Sequence, residues 1–570
     1  MSRSDTTDSR RARGLSSTST HSQSLVSSPK PESISHLSIA SDSATSVADE
    51  VLSQTAFDDV LNQCPKFRIL VLGKSGAGKS SLINSTFNVS TATVSHELAG
   101  VSDINSEIIS EQNSRFILHD SQGFAHGEVD NYQTVEKFIK ERTDEKKPLK
   151  DRLHAIWFCV EIPTANGALF EKGEEKIFEL KLENVPIIVV FTKYDELVSK
   201  LEEEMDSELE EAGDEADLDD DQFQQRVEER ARNQFSEICV KPLKAITKNR
   251  ELPFLEVSTS TNTLLSLRAS NNSPPSPGRR YKNTLEELMH LTRENVDEAV
   301  WLTWAIAQRT SADLKIDASI AIGRKKYWKG LASGLNLVVN NLKAFMNVVH
   351  DEIVTIWNFN DPKMHCKSPE LKALMSHLVE DLSDQPPMEH MRKLISVTGL
   401  TGIVTSAVPG AAVVAIPVAA GLVFAQWFYM AYRASPSIIR LLMGYIVDLV
   451  LVMQSLFWII QVRGEGQIVT KHLLRLAIEA YGASENGELT RVHNAISSFA
   501  TPSSLLKFGH KDLVLAKVEE LITDNKFRIP PRLQEHVKSI PEAVLNDPED
   551  WFFSDPIGYL DHHRKQAPGL

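Results

Sequence analysis

The sequence predicts an α/β fold with a mostly parallel sheet flanked by helices, followed by an all-α domain containing a hydrophobic helical segment. Three observations predict it. Short apolar runs alternate with helical stretches between residues 66 and 260, the pattern of strands joined by right-handed helical crossovers. The first run ends in a glycine-rich turn, Gly73 to Ser80, that opens directly into a helical stretch. Beyond Lys282 the strand-length runs stop and long helical periodicities take over.

The runs are Phe67–Leu72, Phe116–His119, Ala155–Val160, Pro186–Phe191 and Phe254–Val257. Each is largely apolar, as a strand buried on both sides of a sheet is. Helical stretches at Lys79–Phe87 and Gly173–Leu182 lie between them. In the second half, helical patterns cover 283–308, 312–353, 370–382, 473–481, 487–499 and 511–524. Asn360-Asp361-Pro362 marks a helix stop, because proline disfavours helix at the residue before it. Trp357 and Phe359, just before that stop, read as core.

At 570 residues the chain is too long for one core. Its 42% hydrophobic and 24% charged residues exclude a wholly disordered, collagenous or disulfide-scaffold protein. Four cysteines, scattered singly, read as reduced thiols in a cytoplasmic setting. The net charge of −16 argues against a nucleic-acid partner. That charge is concentrated: Glu202 to Asp221 holds thirteen Asp/Glu and no Lys or Arg. The segment reads as a helix loosening near Gly213 into a solvated insertion.

The expected organisation is a Ser/Thr-rich disordered tail over 1–60, an α/β domain over 61–265 with the acidic insertion at 200–222, a linker at 266–282, and the helical domain over 283–570. Sixteen Ser and five Thr fall in the first fifty residues. No apolar stretch follows Arg10, Arg11 and Arg13, so no secretory signal is read there, and Asp5 and Asp8 count against a mitochondrial presequence.

Gly73-Lys74-Ser75-Gly76-Ala77-Gly78-Lys79-Ser80 matches the phosphate-loop pattern GxxxxGK[ST] in full, between a strand and a helix beginning Ser81-Leu82-Ile83-Asn84. In such a loop backbone N–H groups and the helix N-terminus face phosphates. Lys79 would contact the β- and γ-phosphates, and the Ser80 hydroxyl would bind Mg²⁺. Asp120-Ser121-Gln122-Gly123 ends a later run as DxxG, with Asp120 placed to hold Mg²⁺ through water and the Gly123 amide to face the γ-phosphate. Thr192-Lys193-Tyr194-Asp195 ends another as TKxD. A carboxylate at Asp195 can accept the guanine N1–H and exocyclic amine together, a donor pair adenine lacks. Lys193 can lie along the base.

On these motifs, residues ~66–260 resemble a small GTPase G domain of the septin/Era/AIG-like superclass, the guanine-nucleotide fold also used by Ras. The chain also resembles fungal G-domain proteins with a helical C-terminal half. The resemblance covers about a third of the chain and implies binding of GTP or GDP with Mg²⁺. It further implies a guanine loop at Ser258 and Thr259, a loose match, and a switch-I residue closing on Mg²⁺. Ser102 is placed there by resemblance, with Thr91 and Thr93 as rivals.

One departure bears on rate. Phe124 stands where Ras-like enzymes carry the glutamine that orients water. Gly76 stands where the K⁺-dependent members carry an asparagine. The expectation is therefore slow intrinsic hydrolysis, stimulated by self-association through the G domain. The rival is a GTP-locked scaffold without turnover, and an ATPase is the third reading.

Leu394 to Tyr432 is thirty-nine residues without a charge, and Leu441 to Val462 carries only Asp448. Two readings stand for 394–462: a membrane-associated hairpin, since about 20 apolar residues span a bilayer, or a buried helix pair. Pro409 and Pro417 count against a straight span, while the many small residues suit close packing in either setting. Asp448 is tolerable in either case if it faces a helix partner. His365 and Cys366 lack further ligands at metal spacing.

Overall fold

The apolar runs form a six-stranded sheet of order β2-β3-β1-β4-β5-β6. Its strands are β1 (Phe67–Leu72), β2 (Ile108–Ser110), β3 (Asn113–Asp120), β4 (Ala155–Glu161), β5 (Ile187–Thr192) and β6 (Phe254–Glu256). All neighbours pair in parallel except β2, which runs antiparallel to β3 at the edge. In this computed structural model the described residues are 61–74, 76–89, 104–120, 129–163, 169–170, 172–180, 182, 184–212, 220–248, 251–257, 277–326, 339–382, 437–464, 466–482, 487–501 and 512–545. The expected tail at 1–60 and the apolar stretch 394–432 lie outside them.

The period of two along each strand divides the sheet into two cores. Leu70, Leu72, Ile156, Phe158, Val189 and Phe191 face helices α2 (Val129–Arg142), α3 (Lys172–Phe178), α4 (Tyr194–Ala212), α5 (Asp220–Phe235) and α6 (Lys241–Thr247). Phe67, Ile69, Val71, Phe116, Leu118 and Trp157 face the other way, into a core shared with the helical half. Helix α1 (Lys79–Phe87) lies on that second face.

Several boundaries differ from the sequence reading. Strand β2 was not expected: it is three residues long, and its Ile109 is half exposed. The acidic run, by contrast, is helical through Ala212 as expected, and its carboxylates Glu204 and Glu208 pair with Arg230 on α5. Residues 277–282, read as linker, open helix α7 (Pro277–Asn295). That helix covers the sheet: Leu288 and Met289 are fully buried against the face of Phe67 and Trp157. The Trp157 indole N–H donates to Thr292 Oγ1 at 3.2 Å. The expected helix 283–308 breaks at residue 296, and a separate α8 (Trp301–Ala307) follows.

The two halves are one packed body at this face. Trp304 is fully buried, with ring centroids 4.8 Å from Phe67, 5.8 Å from Trp157 and 6.1 Å from Phe87. The C-terminal carbonyls of α1, which no helix can satisfy internally, are taken up by the other half. Arg309 N–H donates to Thr86 O at 2.8 Å, and the Thr310 hydroxyl to Ser85 O at 3.1 Å. The Asn113 amide bridges Phe87 O and Ala307 O at 3.0 and 2.9 Å. Gly466 N–H donates to Asn88 Oδ1 at 2.9 Å.

The helical half is completed by α9 (Ala312–Lys326), α10 (Val339–Trp357), α11 (Pro369–Leu378), α12 (Ser437–Arg463), α13 (Lys471–Gly482), α14 (Glu488–Phe499), α15 (Asp512–Asp524), α16 (Pro531–Ser539) and α17 (Glu542–Leu545). Trp357 is fully buried and stacks near Phe359, as core residues. The Lys315 ammonium is buried between the C-terminal ends of α8 and α10. It donates to Ile306 O at 2.6 Å and Ile356 O at 3.2 Å, where the two helix dipoles favour a cation.

Helix α12 is the axis of this half and touches α9, α10, α11, α13, α14, α15 and α16. Among the described residues it is the one helix long and apolar enough to cross a membrane, yet 94% of its most apolar stretch is buried inside the protein. Of the two readings held open for 394–462, the buried helix therefore describes 441–462. The lone charge of 441–462, Asp448, is fully buried and partnered. Tyr481 Oη donates to it at 2.7 Å, and His493 Nε2 at 2.9 Å. His493 Nδ1 faces Asp381 at 2.9 Å, so the imidazole sits between two carboxylates. Burial alone would lower its pKa, but the two aspartates outweigh this and lift it to about 10.

Candidate nucleotide-binding site

The turn after β1 is built by glycine stereochemistry. Gly73 has φ +139°, and a Cβ there would stand 2.3 Å from the Cys159 carbonyl oxygen on β4. No other residue fits that approach. Gly76 and Gly78 also take positive φ, +83° and +73°. Ala77 N–H closes a turn onto Lys74 O at 3.2 Å, and Leu82 N–H begins the helix on Gly78 O at 3.0 Å. The first turn of α1 holds Lys79, Ser80 and Ser81 and no acidic residue, so the turn itself does not offset the positive potential at its N-terminus. The Lys79 ammonium donates to Gly73 O and Lys74 O, both at 3.0 Å. The loop is thus wrapped around its own lysine.

Asp120 is the last residue of β3 and pairs across the ladder with Val71, two residues before Gly73. It is 6% exposed, and its Oδ1 is buried without a hydrogen-bond partner. Burial pushes its pKa up to about 6, and the nearby Lys79 ammonium opposes that rise. The same two charges act on the buried Cys159 thiol, which burial raises to about 12. A buried carboxylate oxygen without a donor, next to a lysine at a phosphate-type loop, suits Mg²⁺ or its bound water. The donor set of Ser80 and Asp120 therefore fits that ion.

Thr192 and Lys193 join this loop to the far side of the site. Thr192 is fully buried at the end of β5, and its hydroxyl donates to Ala77 O at 3.0 Å. Lys193 follows with φ +63°, which turns its side chain out of the strand. Its ammonium pairs with Glu161 at 2.8 Å and Glu196 at 3.6 Å. The hydrogen bond it donates to Glu161 holds its pKa above the ordinary lysine range. Tyr194 N–H and Val257 O are 3.4 Å apart, so the TKxD turn abuts the end of β6. Asp195 is half-buried in the first turn of α4.

The structure thus gathers Gly73, Lys74, Gly76, Ala77, Gly78, Lys79, Ser80, Ser81, Asp120, Thr192, Lys193 and Asp195 at the C-terminal ends of the parallel strands, where ligands of such sheets bind. Ser75, Ser102, Gly123, Ser258 and Thr259, with Thr91, Thr93 and Phe124, lie outside the described residues. Two features escaped the sequence reading. Glu161 is the acid that ends the otherwise apolar β4, and that position was a usable signal. The tie from Thr192 to the loop depends on tertiary register and left none.

Residues 68–193 match the family model described as 50S ribosome-binding GTPase. Residues 365–537 match a second model, described as Domain of unknown function (DUF8505). Over 154 residues the chain is 25% identical to GTPase Der of Ureaplasma urealyticum serovar 10, a match taking in 27% of this chain and 33% of that protein. The chain therefore spans about one third of that curated relative's length. The wrapped phosphate loop, the carboxylate beside it and these matches together make residues 68–193 a P-loop GTPase G domain, joined here to a helical C-terminal half.

Proposed function

We propose that the protein binds GTP with Mg²⁺ and hydrolyses it slowly to GDP and phosphate. The observation that carries this reading is the pairing of Lys79, folded onto the loop carbonyls, with the donor-free Asp120 carboxylate beside it. In this reading Lys79 and the loop N–H groups hold the β- and γ-phosphates, and Asp195 and Lys193 select guanine. Ser80 and Asp120 would hold Mg²⁺, which when bound neutralises charge on the phosphates. Ser102, Gly123, Ser258 and Thr259 complete the proposed site from the family resemblance. Cytoplasmic placement is part of the proposal, supported by four buried free cysteines.

The helical half is proposed to couple nucleotide state to a partner. Helix α1 supports this, since its first turn carries the loop lysine and its last turn is bonded to Arg309 and Thr310. Any shift of the loop along α1 reaches the helical half directly.

The test is nucleotide identification on the purified protein, followed by phosphate release measured against protein concentration. Bound guanine nucleotide and a slow rate that rises with concentration are expected, the rise reporting self-association through the G domain. Guanine nucleotide without phosphate release over hours favours the GTP-locked scaffold. Adenine nucleotide in the site overturns the reading.

A further inference from the structure

His119 directly precedes Asp120 but faces the opposite side of the sheet, toward Phe138 of α2, with ring centroids 4.8 Å apart. On that face it meets Arg68 of β1, which is 3% exposed. Arg68 Nη1 lies 2.8 Å from His119 Nε2 and 2.6 Å from Glu107 Oε1. A guanidinium only donates, so Nε2 accepts and the proton of the neutral imidazole sits on Nδ1. That Nδ1–H donates to Ile104 O at 2.8 Å.

Between β2 and β3 the register runs from Ser110 opposite Asn113 to Ile108 opposite Leu118, with an irregularity between. The ladder thus stops short of His119 and Asp120. Beyond it, Ile104 and Glu107 are held to the sheet by His119 and Arg68. Asp120, meanwhile, has no hydrogen bond on its own Oδ1. Its position therefore depends on the backbone at the end of β3, of which it is the last residue.

We infer that His119 is a positioning residue for the Mg²⁺–nucleotide site: its imidazole, clamped by Arg68, fixes Asp120 and joins it to the chain entering β2 at Ile104. The inference rests on the functional reading above. A phenylalanine at 119 would fill the space against Phe138. It would leave the Arg68 guanidinium and the Ile104 carbonyl without this partner.

The test compares full-length wild type, His119→Phe and His119→Gln by binding of a fluorescent guanosine triphosphate analogue, titrated with Mg²⁺ and repeated in EDTA. His119→Phe is expected to raise the Mg²⁺ needed for half-maximal tightening about tenfold, the lower end of what losing the support of a metal ligand costs. Its affinity in EDTA should stay near wild type. His119→Gln, which can accept and donate at once, should recover most of the loss. Arg68→Gln should shift the Mg²⁺ requirement in the same direction, so the test survives if His119→Phe fails to fold. Equal weakening with and without Mg²⁺, or an unshifted requirement in folded variants, overturns the inference alone. Wild-type protein that shows no Mg²⁺-dependent nucleotide binding overturns the functional reading and this inference with it.

Discussion

The Thr192 hydroxyl donates to the Ala77 carbonyl at 3.0 Å, which fastens the end of β5 to the middle of the phosphate loop. Both residues are buried, so the bond forms where water cannot replace it. Thr192→Val keeps the shape and removes the donor. It should cost about 1–3 kcal/mol through the unpaired carbonyl and weaken guanine-nucleotide binding, because the loop loses its tie to the TKxD turn. Thr192→Ser should restore both. Thermal melts and nucleotide titrations check it, and a Thr192→Val protein with unchanged affinity would refute the tie.

Asp120 sets stability against function. In the nucleotide-free protein its pKa is raised from 3.8 to about 6 by burial, with Lys79 acting against the rise. The stabilising contribution of a raised carboxyl is full below its unfolded value and is lost as pH rises through about 6. At neutral pH the ionised group therefore costs the free protein stability. Asp120→Asn should raise the unfolding free energy by about 1–3 kcal/mol there, and should abolish the tightening of GTP binding by Mg²⁺. Melting temperature and Mg²⁺ titration should move in opposite senses. Destabilisation by Asp120→Asn would contradict the burial argument.

Some of this was legible in the chain and some was not. Long buried strands such as Phe67–Leu72 and Ile187–Thr192 show themselves because both faces must be apolar. Strand β2 does not, since three residues at a sheet edge carry no periodicity. Helix α12 left two readings open for a different reason. A helix apolar all round has the same composition in a bilayer as in a protein core, and only its neighbours decide. Lys79, Asp120 and Lys193 were readable because their spacing follows the chain. The partners of Glu161, and the Arg68–His119 pair, could not be read this way, because they meet across strands. For them register, not sequence distance, sets the contact.

His493 gives a pH-dependent stability term. Held between Asp448 and Asp381, its pKa is about 10 in the folded protein against 6.5 ordinarily. A raised histidine contributes fully below its unfolded pKa, and the contribution is lost as pH rises through the folded value. His493→Gln should therefore cost about 3 kcal/mol at neutral pH, where it leaves Asp448 buried without its cation. The gap between wild type and variant should close as pH rises through about 10. Taking the difference between the two proteins removes the lysines and tyrosines that titrate nearby. A gap that is constant across this range would mean that the imidazole is not charged.

Trp304 tests whether the two halves are separable. Its ring sits against Phe67, Phe87 and Trp157, and its indole N–H donates to Met289 O at 3.1 Å. Trp304→Ala should cost about 3–5 kcal/mol, as other large-to-small core truncations do. Because the cavity would open in a core common to both halves, the loss should shift a single unfolding transition and not split it. A chain ending at residue 265 would lose α7 and α8 together. It would expose Phe67, Phe116 and Trp157, all essentially inaccessible in the full protein. An apolar face of that kind drives association, so the truncated chain should aggregate or stay unfolded, whereas an independent G domain would be soluble and bind nucleotide. Denaturant curves followed by both tryptophan fluorescence and far-UV circular dichroism, together with the solubility of the truncated chain, separate these outcomes. A soluble, nucleotide-binding 61–265 fragment would show that the shared core is dispensable and that α1 is not held from both ends.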